Sequence, residues 1–272
     1  MLKHKDHFHG SDLEKIEEIY HIKKEDITSF SANVNPLGIS PLLKETLAKH
    51  VNAITSYPDR DYTGLRKSIC QYTGAQFENI IVGNGSTELI SLFIQTTHPQ
   101  KALILGPTYS EYEREIALEG GHTLYYPLKE EDDFQMDVAD FCQHLNDSLD
   151  LLVLCNPNNP TGQVIPTNLL KEILNVCKQH NITLFLDECF LPFVTDNSTQ
   201  SLLPECAAYS NLFLLRAFTK QYAMAGLRLG FGVCSNKTLL QQMFHCGQPW
   251  SVSIPAQYAG IAALQCNDYW AH

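Results

Sequence analysis

The sequence predicts an α/β fold in which a mostly parallel sheet is covered by helices on both faces. Short, continuously apolar runs alternate with longer amphipathic segments along most of the chain. Strands that are buried on both faces have this unbroken apolar pattern, and the amphipathic segments are long enough to be crossover helices. In addition, motifs rich in glycine, proline and polar residues directly follow apolar runs, and ligands bind at that edge of a parallel sheet.

The alternation gives the candidate elements in chain order. The apolar runs predicted as strands are Ile80–Val82, Ala102–Leu105, Thr123–Tyr126, Leu151–Leu154, Leu184–Leu186, Leu212–Leu215 and Phe231–Cys234. The amphipathic segments predicted as helices are Leu65–Tyr72, Thr87–Gln95, Glu111–Leu118, Val138–Leu145, Asn168–His180 and Lys237–Phe244. Helices on both sides of the sheet give a three-layer α/β/α domain.

The N-terminal residues have a different character. A polar helix is predicted around Asp12–Ile19, a short apolar stretch follows at Ile27–Ser31, and proline and glycine break the chain at Asn35–Gly38. Residues 1–45 are therefore expected to form an arm and part of a small domain, and residues 46–272 the large domain.

Composition argues against several classes of protein. The 272 residues carry a formal charge of −11, with 44% hydrophobic and 18% charged residues, an ordinary globular balance. A nucleic-acid surface normally needs a basic stripe, which this acidic chain lacks. No apolar run approaches the length of a membrane span, and the N-terminus has no secretory pattern, so we expect a cytoplasmic protein without membrane contact.

The nine cysteines are scattered, and no pair has the C-x-x-C spacing. Several lie in apolar runs, where cysteine acts as a small buried hydrophobe. The pattern favours a reducing compartment and predicts neither a disulfide framework nor a metal site.

The segment Val82–Glu88 follows a predicted strand and opens a predicted helix. Gly85 allows close backbone approach, Ser86 and Thr87 can cap the helix, and the free N–H groups at its start would face an anion. The segment lacks the lysine of a P-loop and the third glycine of a dinucleotide fingerprint. An ordinary capped turn is the alternative.

A second motif, Gly106–Tyr112, also follows a strand. Tyr109 can stack on a flat, electron-poor heteroaromatic ring. The alternative is a tyrosine that packs against the edge of the sheet.

Two prolines and a glycine make Asn156–Gly162 a rigid turn at a strand end. Asn159, held before Pro160, can direct its amide N–H groups at an anionic oxygen. An ordinary loop of this composition is the alternative.

An acidic pair closes the apolar run Leu184–Leu186. Burying the Asp187 carboxylate is costly unless it has a cationic partner, and a protonated pyridine nitrogen would be one. A metal ligand or a solvated turn residue are the alternatives, and Glu188 is interpreted as structural.

Lys220 follows Thr219 directly and precedes Arg228 by eight residues. Burial near other cations lowers the pKa of a lysine toward the neutral form that attacks an aldehyde. The Thr219 hydroxyl and the Arg228 guanidinium can both hold a phosphate dianion. With Asp187 and Asn159, these groups suggest a lysine that bonds covalently to pyridoxal phosphate; a lone lysine in a surface loop is the alternative.

These motifs, taken in this order, resemble those of the class I/II aminotransferases, the fold-type I pyridoxal-phosphate enzymes. The match covers about residues 28–262. The resemblance implies a large domain with a seven-stranded, mostly parallel sheet, a small domain built from both chain ends, and a homodimer with shared sites.

The resemblance also implies roles for individual residues. Lys220 looks like the Schiff-base lysine, Asp187 like the partner of the pyridinium nitrogen, and Asn159 like the donor to the phenolic oxygen. Tyr109 looks like the stacking ring, and Tyr57 resembles the tyrosine that reaches the cofactor of the neighbouring subunit. The residues that resemble the phosphate-binding cup are Gly85, Ser86, Thr87, Thr219 and Arg228.

Two branches of the family fit the N-terminal half. The segments His9–Gly10, Phe30–Gly38 and Tyr57–Asp59 resemble the threonine-phosphate decarboxylases of cobalamin biosynthesis, while histidinol-phosphate aminotransferases share much of the frame. Phe190 stands where many aminotransferases have a tyrosine, which favours the decarboxylase branch. His9 and Asn33 are the candidate substrate contacts.

Other departures limit the resemblance. Ala217 stands where the family often has a hydroxyl residue that contacts the phosphate. The arginine that binds the substrate carboxylate in the family lies beyond His272, so the C-terminal small domain is expected to be absent or truncated. A non-catalytic cofactor-binding module and a nucleotide-binding protein that uses Gly83–Thr87 are the hypotheses from other classes.

Overall fold

A single central sheet confirms the predicted fold class. The computed structural model describes residues 13–28, 31–195, 200–266 and 269, and within them seven strands form one sheet with the order β1-β7-β6-β5-β4-β2-β3. The strands are β1 (Ile80–Gly83), β2 (Lys101–Gly106), β3 (His122–Pro127), β4 (Leu151–Cys155), β5 (Thr183–Asp187), β6 (Leu212–Ala217) and β7 (Gly230–Val233).

The directions of the strands bring the sequence motifs to one edge of the sheet. Neighbouring strands from β3 through β6 are parallel, whereas β7 is antiparallel to both β6 and β1. The carboxyl ends of β1 to β6 therefore lie at the same edge as the amino end of β7. Segments that follow a strand, and the segment that precedes β7, meet there.

Helices cover the sheet. Their bounds are α1 (Leu13–Tyr20), α2 (Pro41–Lys49), α3 (Thr63–Thr73), α4 (Ser86–Thr97), α5 (Glu111–Leu118), α6 (Val138–Gln143), α7 (Thr167–Gln179), α8 (Lys237–Cys246) and α9 (Ile254–Leu264). The predicted bounds differ from the observed ones by at most two residues, because helix and strand ends are set by capping and pairing. The sequence did not predict α2 and α9.

The alternation of side chains along each strand divides the core into two layers. In β4, Leu152 and Leu154 pack in one layer with residues of α3, α6, α7 and α9. Leu151 and Val153 point the other way and pack with residues of α4, α5 and α8. Both faces of the sheet are therefore buried, which is why its strands are continuously apolar.

Both unpredicted helices begin at a serine cap. Ser40 accepts a hydrogen bond from the Leu43 N–H at 3.2 Å, and Ser253 accepts one from the Ala256 N–H at 3.3 Å. Helix α9 packs against α2 and α3. Gly260 of α9 allows close approach to α3, because a Cβ there would lie 2.9 Å from Leu65 Cδ1. No helix in the described residues is both long and apolar enough to cross a bilayer.

Candidate active site

The strand-end motifs meet around a cavity of about 600 Å³ at the edge described above. The predicted site residues that line it are Ser86, Thr87, Tyr109, Asn159, Thr219, Lys220 and Arg228. They come from four segments that lie far apart in the sequence, after β1, after β2, after β4 and between β6 and β7. The sequence predicted these motifs one by one, and the topology of the sheet brings them together around one cavity.

Lys220 is half-buried in the loop after β6. Its Nζ donates a hydrogen bond of 2.7 Å to the Ala32 carbonyl oxygen and lies 5.5 Å from the centre of the Phe190 ring. Burial lowers the pKa of Lys220, and the positive charge of Arg228 lowers it further. A larger fraction of the side chain is therefore the neutral amine that can attack a carbonyl carbon.

Asp187, the last residue of β5, is 5% exposed. Its Oδ2 accepts a hydrogen bond of 2.8 Å from the Tyr112 hydroxyl, and its Oδ1 accepts one of 2.8 Å from the Cys189 N–H. Within the described residues, no basic side chain forms an ion pair with this carboxylate. Burial accordingly raises the pKa of Asp187. A buried carboxylate without a cation needs one, and a protonated ring nitrogen would meet this need.

Glu188, the other member of the acidic pair, has a structural role. Its Oε2 accepts hydrogen bonds from Arg216 Nη2 at 2.8 Å and from the Ser201 hydroxyl at 2.6 Å, and its Oε1 accepts one from the Leu202 N–H at 2.8 Å. This fully buried carboxylate is thus paired with an arginine and is not available to a ligand.

The turn after β4 has two structural asparagines and one that faces the cavity. Asn156 exchanges side-chain hydrogen bonds with the backbone of Ile165 at 3.2 and 2.7 Å. Asn158 donates to the Pro107 carbonyl at 3.0 Å and accepts from the Thr108 hydroxyl at 2.8 Å, which links this turn to the loop after β2. Asn159 lines the cavity.

The start of α4 and the Arg228 guanidinium form one end of the cavity. Ser86 and Thr87 line this end, where the first N–H groups of α4 have no partner within the helix. The expected cap by Ser86 or Thr87 was wrong: Gly85 is the N-cap, and no side chain caps the helix. The free N–H groups and the helix dipole make this end a binding site for an anion such as phosphate.

Glycine is required at position 85 for two reasons. Its φ of 85° lies in the region that L side chains rarely adopt, and a Cβ there would lie 2.5 Å from Arg228 Nη2. The helix start and the guanidinium can therefore approach the same anion only when position 85 lacks a side chain.

We expect Gly85→Ala to weaken the binding of pyridoxal phosphate about tenfold, because the new methyl group displaces Arg228 and removes a charge-assisted hydrogen bond. Gly120→Ala is the matched control, since Gly120 has a φ of 80° but no atom within 4 Å of the position that a Cβ would take. Both variants should lose stability, but only Gly85→Ala should bind the cofactor more weakly in an absorbance titration. Equal affinity in the two variants would contradict the role of Arg228 at this end.

Tyr109 is half-buried at the cavity wall, and its ring packs edge-on against Tyr112, with centroids 5.5 Å apart and an interplanar angle of 84°. Burial raises the pKa of Tyr109, so its hydroxyl stays protonated. The fixed ring is suitable for stacking on a flat ligand.

Tyr57 and Asn33 do not line this cavity. Tyr57 is 80% exposed and packs against Trp250, with ring centroids 4.9 Å apart. Asn33, with a φ of 50°, lines a neighbouring cavity of about 580 Å³ that shares Val34, Asn159 and Pro160 with the first. His9 lies outside the described residues.

Some functional groups were not found from the sequence. The arm residue Asn35 donates from its N–H to the Lys220 carbonyl at 3.0 Å and from Nδ2 to the Gln221 carbonyl at 3.1 Å. The arm therefore crosses the lysine loop, and its Ala32 carbonyl holds the lysine amine. Cys189 also lines the cavity, and its N–H holds Asp187.

These groups fit pyridoxal phosphate on structural grounds. The buried Asp187 carboxylate has no ion pair with a basic side chain of the described residues and lies beside Cys189, which lines the cavity. The Lys220 amine is half-buried in that cavity, and the end formed by Gly85, the start of α4 and Arg228 is suited to an anion. No group of side chains in the described part of the chain could hold a metal ion.

Comparison with known proteins decides the family. The sequence model described as Aminotransferase class I and II matches residues 25–269. The chain belongs to this family. Members of the class I and II aminotransferase family are enzymes that use pyridoxal phosphate, so the predicted family, enzyme class and cofactor are confirmed.

Both predicted branches occur among the relatives. The chain is 35% identical to the threonine-phosphate decarboxylase of Salmonella typhimurium over 94% of this chain and 70% of that protein. The histidinol-phosphate aminotransferase structure from Clostridium acetobutylicum is 32% identical, with a TM-score of 0.80 over 88% of this chain and 70% of that one. The L-threonine-O-3-phosphate decarboxylase structure from Porphyromonas gingivalis is 26% identical, with a TM-score of 0.78 over 90% and 71%. The chain thus spans about seven tenths of each relative.

Proposed function

We propose that the chain holds pyridoxal phosphate in the cavity beside Lys220 and acts on an amino acid with a phosphorylated side chain. The observation that supports this most directly is the pairing of a half-buried lysine with a buried, cation-free aspartate at the same sheet edge. The Lys220 amine can bond to the aldehyde carbon of the cofactor, and the Asp187 carboxylate can pair with its protonated ring nitrogen.

The positions of the other cavity residues assign the remaining contacts with the cofactor. The start of α4, with Gly85, Ser86 and Thr87, holds the phosphate together with Thr219 and Arg228. Asn159 donates its amide hydrogen to the phenolic oxygen, and Tyr109 stacks on the ring.

When bound, pyridoxal phosphate supplies a positively charged ring that withdraws electrons from the substrate Cα. Asp187 keeps the ring nitrogen protonated through a charge-assisted hydrogen bond. Lys220 is placed to hold the aldehyde carbon and, because its pKa is lowered, to take up or return a proton at Cα. The arm holds the lysine amine in place through the Ala32 carbonyl.

We propose decarboxylation of threonine phosphate, or of a similar phosphorylated amino acid, as the reaction. The 35% identity to the Salmonella typhimurium decarboxylase supports this reaction. Phe190 supports it as well: its ring lies 5.5 Å from the Lys220 amine and carries no hydroxyl group that could donate to the cofactor. Transamination of histidinol phosphate is the second candidate, favoured by the likeness to the Clostridium acetobutylicum structure.

The substrate carboxylate needs a partner from elsewhere. In the described part of the chain, Lys220 and Arg228 are the basic side chains that line the cavity, and both are assigned to the cofactor. We propose His9 and Asn33 of the arm as contacts for the rest of the substrate.

We further propose that residues 46–272 form the large domain, with residues 1–45 as the arm. A homodimer would place the exposed Tyr57 at the cofactor of the neighbouring subunit. A reducing cytoplasm suits the nine unpaired cysteines.

Two incubations test the reaction. The cofactor-loaded protein is mixed with threonine phosphate in one, and with histidinol phosphate and 2-oxoglutarate in the other. Release of CO₂ from threonine phosphate is the expected result. Formation of glutamate in the second mixture, without release of CO₂ in the first, would contradict decarboxylation and support transamination.

We expect Ala217→Ser to tighten the binding of pyridoxal phosphate about two- to tenfold, the value of one added hydrogen bond. Ala217 ends β6 and lines the cavity, so the serine hydroxyl would reach the phosphate end. Affinity is measured by absorbance titration, with pyridoxal as the control ligand because it lacks the phosphate. Tighter binding of both ligands, or of neither, would contradict a phosphate contact at this position.

A further inference from the structure

Tyr112 contacts two of the proposed cofactor-binding residues from behind the cavity. It is the second residue of α5 and is 1% exposed. Its hydroxyl donates a hydrogen bond of 2.8 Å to Asp187 Oδ2. Its ring packs edge-on against Tyr109 at a centroid distance of 5.5 Å. One buried side chain therefore supports both the carboxylate at the end of β5 and the aromatic ring after β2.

The Asp187 carboxylate depends on this contact. Its Oδ1 is held by the N–H of Cys189, which belongs to the backbone and is fixed by the turn after β5. Its Oδ2 is held by the Tyr112 hydroxyl at 2.8 Å, and the Cys189 side chain also hydrogen-bonds this carboxylate. Tyr112 thus fixes the rotation of the carboxylate and withdraws electron density from the oxygen it contacts.

We propose that Tyr112 is a positioning residue for the reaction, and that its hydrogen bond to Asp187 keeps the shared proton on the ring nitrogen of the cofactor. This proposal rests on the proposed function, because it assigns that nitrogen to Asp187. Tyr112 itself does not line the cavity and acts through Asp187 and Tyr109.

The direction of the effect follows from competition for one proton. The ring nitrogen and the carboxylate share a proton, and it resides on the more basic of the two. A hydrogen bond donated to the carboxylate stabilises its charged form and makes it the weaker base. Without this bond the proton moves toward Asp187, and the ring becomes a weaker acceptor of electrons.

The phenol can donate throughout the working range of pH. Full burial, together with the nearby negative charge of Asp187, raises the pKa of Tyr112 well above its ordinary value. The hydroxyl therefore keeps its proton at neutral and moderately alkaline pH.

The test compares Tyr112→Phe with a matched control, Tyr126→Phe. The Tyr126 hydroxyl donates to Asp140 Oδ2 at 2.9 Å, and its ring packs edge-on against Phe141 with centroids 5.0 Å apart, away from the cavity. Each protein is loaded with pyridoxal phosphate labelled with ¹⁵N in the ring, and the chemical shift of this nitrogen is measured by NMR. The dissociation constant of the cofactor is measured in parallel.

We expect Tyr112→Phe to move the ring-nitrogen resonance toward that of neutral pyridine and to weaken cofactor binding about tenfold. Tyr126→Phe should match the unchanged protein in both measurements. An unchanged resonance in Tyr112→Phe, or an equal change in both variants, would overturn the proposal. If the unchanged protein does not bind the cofactor covalently, the proposed function fails instead, and the visible absorbance of that sample distinguishes the two failures.

A second variant covers the case in which Tyr112→Phe does not fold. Difluorotyrosine placed at position 112 keeps the ring and makes the hydroxyl a stronger donor. We expect the ring-nitrogen resonance to move toward the protonated value or to remain there. A shift toward neutral pyridine would contradict the proposal.

Discussion

Lys220→Ala should abolish the visible absorbance of the cofactor-loaded protein and lower any turnover at least about a thousandfold. The reason is chemical: alanine has no amine to bond to the aldehyde carbon or to move a proton at Cα. The variant also loses the hydrogen bond from Nζ to the Ala32 carbonyl, while the two hydrogen bonds from Asn35 still hold the arm to the lysine loop.

Lys101→Ala is the matched control for this variant. Lys101 is a half-buried lysine at the start of β2, at the opposite edge of the sheet, and its Nζ donates to the Ser148 hydroxyl at 3.1 Å. Borohydride reduction should leave the cofactor attached to the peptide that contains Lys220, with a mass increase equal to the cofactor minus one water plus two hydrogens, in the control as in the unchanged protein. A visible band that persists in Lys220→Ala would show that another amine carries the cofactor.

The sequence predicted the strands well, for a physical reason. Both faces of the sheet are covered, so each strand is apolar without interruption, as Leu151–Cys155 illustrates. The two helices that it did not predict lack an amphipathic pattern. Helix α2 buries only Leu43 among its residues, and α9 is rich in alanine and apolar on most sides. Their serine caps at Ser40 and Ser253 were the available signals.

The candidate site was predictable where one segment carries a whole motif, as at Asn156–Gly162. What the sequence did not indicate are contacts between distant segments. The hydrogen bond from Lys220 to Ala32 spans 188 residues and ends on a backbone carbonyl, which has no sequence signature. Tyr112 is one of the apolar-facing residues of an amphipathic helix, so its pattern predicts a core residue, and only the packing of α5 shows the contact with Asp187.

Asp187→Asn should have opposite effects on function and on stability. We expect turnover to fall roughly tenfold to a hundredfold and the cofactor to bind more weakly, because a neutral amide cannot form the charge-assisted hydrogen bond to the ring nitrogen. In the absence of cofactor, the same substitution should stabilise the protein. Asparagine can still accept from the Cys189 N–H, and the Tyr112 hydroxyl can turn to accept from the new amide group.

The sign of the stability effect follows from the pKa. Burial raises the pKa of Asp187 in the folded protein above its value of about 3.9 in an unfolded chain. The folded state therefore binds this proton more tightly, and the resulting stability is fully present below the unfolded pKa and is lost as pH rises through the folded pKa. As pH rises, ionising this buried carboxylate without a cation lowers the stability of the cofactor-free protein, and Asp187→Asn removes that cost.

Thermal unfolding at pH 4 and pH 7, with and without pyridoxal phosphate, measures both effects. Without cofactor at pH 7, Asp187→Asn should unfold about 2–4 °C higher than the unchanged protein for each kcal/mol gained, and the difference should shrink at pH 4. Asp140→Asn is the matched control: Asp140 also accepts from a tyrosine hydroxyl, at 2.9 Å, but its side chain is 54% exposed. With cofactor the unchanged protein should unfold at the higher temperature, because it binds the cofactor more tightly and is stabilised more by it. Two outcomes would contradict the role of Asp187 at the ring nitrogen. In one, cofactor-free Asp187→Asn is less stable at pH 7 than the cofactor-free unchanged protein. In the other, pyridoxal phosphate raises the unfolding temperature of Asp187→Asn as much as that of the unchanged protein.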